Sequence, residues 1–204
     1  MNPLNSIKGT LTLGFVLAIV VALIASMGVG SLNWLVLVRW FHILAGITWI
    51  GLLYYFNFVQ TPAMADAAAD KGGPGGAGIS KYVAPRALLW FRMSAAVTWV
   101  LGFIYLAWTG NLGAFAFGML GEAVNTYQLT IGIGAWLGTI MLFNVWVLIW
   151  PNQKKILGIV AASDEEKAKA RKVAAMASRT NTMLSIPMLL CMASAFHGMP
   201  LIHG

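Results

Sequence analysis

The sequence predicts an all-α integral membrane protein, a single-domain bundle of five transmembrane helices with a cytoplasmic N-terminus and a periplasmic C-terminus. Three observations carry this. Of 204 residues, 59% are hydrophobic and 9% are charged, whereas about a quarter of the residues in soluble domains are charged. Apolar runs long enough to cross a hydrocarbon layer of about 30 Å recur nearly end to end. The basic residues fall almost entirely in connectors that five crossings would place on one side of the bilayer, as expected for cytoplasmic loops.

The first span is expected over 11–29, a charge-free run closed by Gly28, Gly30 and Ser31. It is too long for the apolar core of a signal peptide and lacks a cleavage site, so it reads as a retained helix. A second span, 35–58, follows after a short turn and must be the antiparallel neighbour of the first. Thr61 and Pro62 are expected to end it. The glycine- and proline-rich segment ADKGGPGGAGISKYVAPR reads as a flexible connector. The third span is expected over 87–108, followed by an apolar, glycine-rich loop carrying Glu122, suited to the membrane interface. The fourth, 129–150, contains Gly134 and Gly138 in a GxxxG spacing that permits close helix packing. Pro151 is expected to end it. Ser163 and Glu166 have capping-box spacing at the start of a surface helix, about 163–179, on the cytoplasmic side. The fifth span is expected over 183–202.

With this topology Lys8, Lys71, Lys81, Arg86, Arg92, Lys154, Lys155, Lys167, Lys169, Arg171, Lys172 and Arg179 share the cytoplasmic side, and Arg39 alone lies opposite. The expected location is a bacterial inner membrane. The net charge of +7 follows from this asymmetry, and no RNA-binding pattern accompanies it, so nucleic acid is not an expected partner. Cys191 is the only cysteine. That excludes an internal disulfide, a CxxC pair and the CxxCH attachment of a covalent haem within this sequence. No phosphate loop, Ser-His-Asp pattern, HExxH or acidic metal cluster occurs. A transporter lacks support, since the spans carry no paired acids.

One stretch does stand out for chemistry. RWFHILAGITWIGLLYYFNFVQ, 39–60, sets an arginine and a histidine in a membrane-length apolar run, where an ionisable side chain is costly and needs a partner or a function. His42 is expected about 12 Å below the periplasmic end of its helix at 1.5 Å per residue. His197, on the last span, falls at a similar depth. Two antiparallel helices offering imidazoles at one level can clamp a non-covalent haem b through two axial nitrogens. Ala45 and Gly46 beside His42, and Ala193 and Ser194 beside His197, are small enough for a flat macrocycle to approach. Arg39, one turn above His42, is placed either to pair with a propionate or to snorkel to the headgroups. Each histidine can instead simply hydrogen-bond a neighbouring helix. His197, Met199 and His203 form a further, softer donor set suited to copper. The tryptophans at span ends, Trp34, Trp40, Trp108 and Trp150, read as interfacial anchors.

RWFHILAGITWIGLLYYFNFVQTP, FNVWVLIWPNQKK and SRTNTMLSIPMLLCMASAFH together resemble the membrane-embedded N-terminal domain of bacterial membrane-bound uric acid oxidases, or urate hydroxylases. The resemblance implies a helical membrane domain whose histidines in the second and last spans match His42 and His197. It also implies oxidoreductase chemistry that passes electrons from purine oxidation to a C-terminal cytochrome c domain. The sequence reaches Gly204 without such a domain, so a separate cytochrome c or other redox protein is the expected acceptor. The alternative is an accessory structural subunit, with or without haem, within a larger membrane redox complex.

Overall fold

The computed structural model describes residues 2–27 and 33–195. All regular structure among them is helical: a short turn at Pro3–Asn5, then α1 (Ile7–Ala25), α2 (Trp34–Ala69), α3 (Ile79–Trp108), a 3-10 turn at Leu112–Ala116, α4 (Thr126–Ile156) and α5 (Asp164–Ser194). α1 through α4 are each long and apolar enough to cross a membrane. The chain forms two compact units, Met1–Trp34 and Leu35–Gly204. In the first, α1 begins at Ser6, whose hydroxyl accepts from the Gly9 amide at 3.1 Å. None of its side chains is buried, as suits a helix apolar all round in lipid.

In the second unit, three helices run further than their prolines predict. α2 continues through Thr61 and Pro62 to Ala69, α3 begins before Pro85, and α4 passes Pro151 to Ile156. The expected connector therefore shrinks to residues 70–78. The reason is local: a wide π-turn ends two residues before each proline, at Phe56–Gln60, Ile79–Val83 and Asn144–Ile149. Proline lacks the amide donor, and its ring clashes with the carbonyl one turn back. A π-turn displaces that carbonyl and lets the helix go on. Side chains near each turn then satisfy main-chain acceptors. Asn57 Nδ2 donates to the Leu53 carbonyl at 2.8 Å, Asn152 Nδ2 to that of Leu148 at 2.7 Å, and the Arg86 guanidinium to that of Tyr82.

The surface helix expected at 163–179 and the start of the fifth span are likewise one helix, α5. Its capping box is formed as read, with Ser163 Oγ accepting from the Glu166 amide and the Glu166 carboxylate accepting from the Ser163 amide at 2.8 Å. The run SRTNT does not break it, because Ser178 and Asn181 are bonded to neighbouring helices. The outer part of the expected fifth span, 196–202, lies outside the described residues.

The core gathers Trp49 and Leu53 of α2, Phe91 and Ala95 of α3, Met141 and Val145 of α4, and Ala177 and Met188 of α5. Polar ties fix the helices against one another. Asn144 Nδ2 donates to Asn181 Oδ1 at 2.8 Å and Asn181 Nδ2 to the Met141 carbonyl at 2.9 Å. Asn57 Nδ2 bonds Ser178 Oγ at 2.8 Å, and Trp99 Nε1 donates to Thr139 Oγ1 at 2.8 Å. Gly134 brings α4 onto α5, since a Cβ there would lie 3.0 Å from that of Cys191. The π-turns and most of the basic side chains of this unit share one end, where Arg92 stacks on the Trp150 ring at 3.7 Å. Arg39 lies toward the other.

Two outcomes follow. Asn181→Ala leaves the buried Asn144 side-chain amide without its acceptor and is expected to cost about 1–2 kcal/mol in detergent unfolding. The Ser163 amide and Lys155 hold the Glu166 carboxyl below its ordinary range. The capping contribution is therefore complete above the unfolded carboxyl's pKa and is lost as pH falls through the folded value. Hydrogen exchange, corrected for intrinsic rates, should show the first turn of α5 losing protection on acidification.

Candidate functional site

His42 projects from α2 against α3. Its Nδ1 lies 2.7 Å from the Thr98 carbonyl oxygen. A carbonyl only accepts, so Nδ1 carries the proton and the neutral ring keeps a lone pair on Nε2. Such a bond fixes tautomer and ring orientation in metal-ligating histidines. Gly102, one turn on along α3, makes room for the ring: a Cβ there would lie 2.9 Å from His42 Cε1 and 3.1 Å from Nδ1.

The ring lines a cavity of about 510 Å³ within the second unit, the size of a small-molecule or cofactor site. α2 supplies Arg39, His42, Gly46, Trp49, Gly51 and Tyr54; α3 adds Trp99, Gly102, Phe103 and Tyr105; α4 adds Tyr127 and Gly138; α5 adds Met188, Leu189 and Met192. Gly51 and Gly138 leave open space, since a Cβ on either meets nothing within 4 Å. The loop after α3 also reaches the cavity. Phe115 lines it and carries the aromatic wall onward, 6.0 Å from Phe103 and 5.9 Å from Trp136 between ring centroids. This segment packs inward because Gly132 admits the Ala114 backbone, whose carbonyl oxygen would lie 2.0 Å from a Cβ at 132.

The lining is apolar apart from a few groups. Arg39, Tyr105 and Tyr127 stand toward one end. Toward the other, Tyr54 bonds Ser185 Oγ at 2.9 Å. The Ser185 hydroxyl itself donates to the Thr182 carbonyl at 2.7 Å, so Tyr54 is the donor in that pair. Trp49, 2% exposed, also lines this end, and its indole N–H has no hydrogen-bond partner.

The structure thus brings Arg39, His42 and Gly46 to one cavity. Ala45 is not among its lining residues, and neither is Ser194, whose hydroxyl is turned back onto the Leu190 carbonyl. His197, like Met199 and His203, lies outside the described residues. Among the described residues, no group of three or more His, Cys, Asp or Glu side chains is placed to hold a metal ion. Sequence reasoning missed the Thr98 carbonyl, Gly102 and Trp49. The glycine within WVLGFIY was the one visible signal, since glycine in a membrane helix permits close approach.

Residues 123–203 match the family described as urate oxidase N-terminal. Over this stretch the chain is urate-oxidase N-terminal-like. The stretch covers α4, α5 and position 197, but not α2 with His42. No curated protein and no solved structure matches the chain.

The glycines give a direct check. Gly102→Ala drives a methyl group into the imidazole and is expected to cost about 1–3 kcal/mol, as overpacking does. Gly138→Ala points into open space and should be neutral or stabilising by up to about 1 kcal/mol. Thermal unfolding of the two variants in one detergent separates them.

Proposed function

We propose that the chain is a membrane redox domain of the urate-oxidase type, in which His42 Nε2 ligates a non-covalently held haem b. The observation that supports this is the His42–Thr98 bond, which leaves the second ring nitrogen with its lone pair beside a cofactor-sized cavity. The residues fit a flat apolar macrocycle. Gly51 and Gly138 leave open space, Gly46 lines the cavity without a side chain, the aromatic wall would supply apolar contact, and Arg39 would pair with a propionate. Such a haem supplies one-electron chemistry; the protein supplies ligation, orientation and a dry surround. His197 would be the second residue to hold it.

The charge distribution supports a bacterial inner membrane, with the Arg39 end facing the periplasm and the basic end the cytoplasm. A separate cytochrome c is the proposed acceptor on the periplasmic side. Urate oxidation is supported by the match over 123–203.

Detergent-purified protein should carry a b-type absorption spectrum at one haem per chain and, with urate, reduce added cytochrome c. A fully folded, colourless preparation would remove the haem. A coloured protein inert to urate and cytochrome c would remove the urate reading and leave the haem.

A further inference from the structure

The lipid-facing side of α2 and α3 carries a second concavity, an open groove of about 710 Å³ between the two helices. It borders the wall of the His42 cavity at Ile47 and Gly51 but opens outward. Tyr82 and Trp90, which line it, are 58% and 62% exposed, and in a membrane helix such faces meet lipid. Tyr55, on the opposite wall, lies about 32 Å along α2 from Trp34 at 1.5 Å per residue, one hydrocarbon thickness. This end of the groove is therefore at headgroup level. Thr48, two turns back, is about 10 Å deeper, and its hydroxyl proton is already spent on the Leu44 carbonyl at 3.1 Å. The groove thus runs inward from the interface as an apolar slot.

Its shallow end is basic. Arg86 lines the groove and is exposed. Its guanidinium is steadied by donating to the Tyr82 carbonyl one turn back, and a guanidinium has further N–H donors to offer. Lys81 brings a second cation, its ammonium 5.3 Å from the centroid of the Tyr82 ring. Among the described residues the salt bridges are Lys155–Glu166 and Lys167–Asp164, both elsewhere. No carboxylate therefore neutralises either cation at the groove mouth.

We infer that the groove between α2 and α3 holds an anionic phospholipid, its phosphodiester on Arg86 and Lys81 and one acyl chain lying past Ala87 and Trp90 toward Thr48. Guanidinium and phosphate pair through charge-assisted hydrogen bonds, and basic pockets between membrane helices select anionic headgroups. A zwitterionic headgroup would set its own ammonium against both cations. An uncharged amphiphile would leave them unanswered. This binding goes beyond the haem reading and does not rest on it.

Native mass spectrometry of the full chain in detergent, with dioleoyl phosphatidylglycerol or dioleoyl phosphatidylcholine added, tests the inference. Wild type should retain one phosphatidylglycerol, bound about tenfold more tightly than phosphatidylcholine. Arg86→Gln should lower the phosphatidylglycerol affinity about tenfold, as loss of a hydrogen bond to a charged group does. Lys172→Gln, which removes an equal charge from α5, should leave it unchanged. Ala87→Leu fills the slot, keeps both cations and should also weaken binding, so the inference stays open to test if Arg86→Gln fails to fold. Equal affinity of wild type for the two lipids overturns the inference. So does the same loss in Arg86→Gln and Lys172→Gln, or wild-type binding by Ala87→Leu.

Discussion

The contact between His42 and the Thr98 carbonyl determines what the cavity can do. An imidazole in hydrocarbon has two nitrogens to satisfy, and here a neighbouring helix takes the proton-bearing one. The other is left with a lone pair and no obligation to the fold. The contact depends on close approach of α2 and α3, which Gly102 permits by having no side chain where the ring lies. Trp99, three residues before Gly102, ties α3 in turn to Thr139 of α4. The packing of three helices thus converges on the orientation of one ring.

The opposite end of the unit supplies the rigidity. Proline ordinarily ends a helix, yet Pro62, Pro85 and Pro151 all lie inside long ones, each preceded by a π-turn. Acceptors near these turns are taken by Asn57, Arg86 and Asn152. Asn57 also bonds Ser178 of α5, so one side chain serves both the turn and the helix contact. Deeper in, Asn144 and Asn181 lock α4 to α5 with each amide partnered. Hydrophobic association between helices is weak in lipid, so such polar ties and small-residue contacts carry more of the specificity.

Much of this was legible in the sequence because it depends on composition and on one-residue signals. Apolar runs gave the helical class and the positions of α1 to α4. The capping pair Ser163 and Glu166 gave the start of α5, and the cost of burying charge pointed to His42 and Arg39. Helix ends were legible only where no proline intervened, because proline's usual effect is reversed by a π-turn that no local pattern announces. The loop 112–116 read as interfacial, since its apolar character was plain but the notch at Gly132 that receives it is a property of packing. The partner of His42 was illegible in principle: it is a main-chain carbonyl, and every residue has one. Only coordinates show that the buried Trp49 N–H is left without a partner.

The most direct test of the central claim is chemical rescue at His42. If His42 holds the proposed haem, detergent-purified His42→Gly is expected to fold but to lack the haem absorption expected of the wild-type protein. Haem with added imidazole should restore it, because the free base occupies the space the ring vacates and presents the same nitrogen. His42→Gly that retains an unaltered haem spectrum without imidazole would show that His42 does not hold the haem.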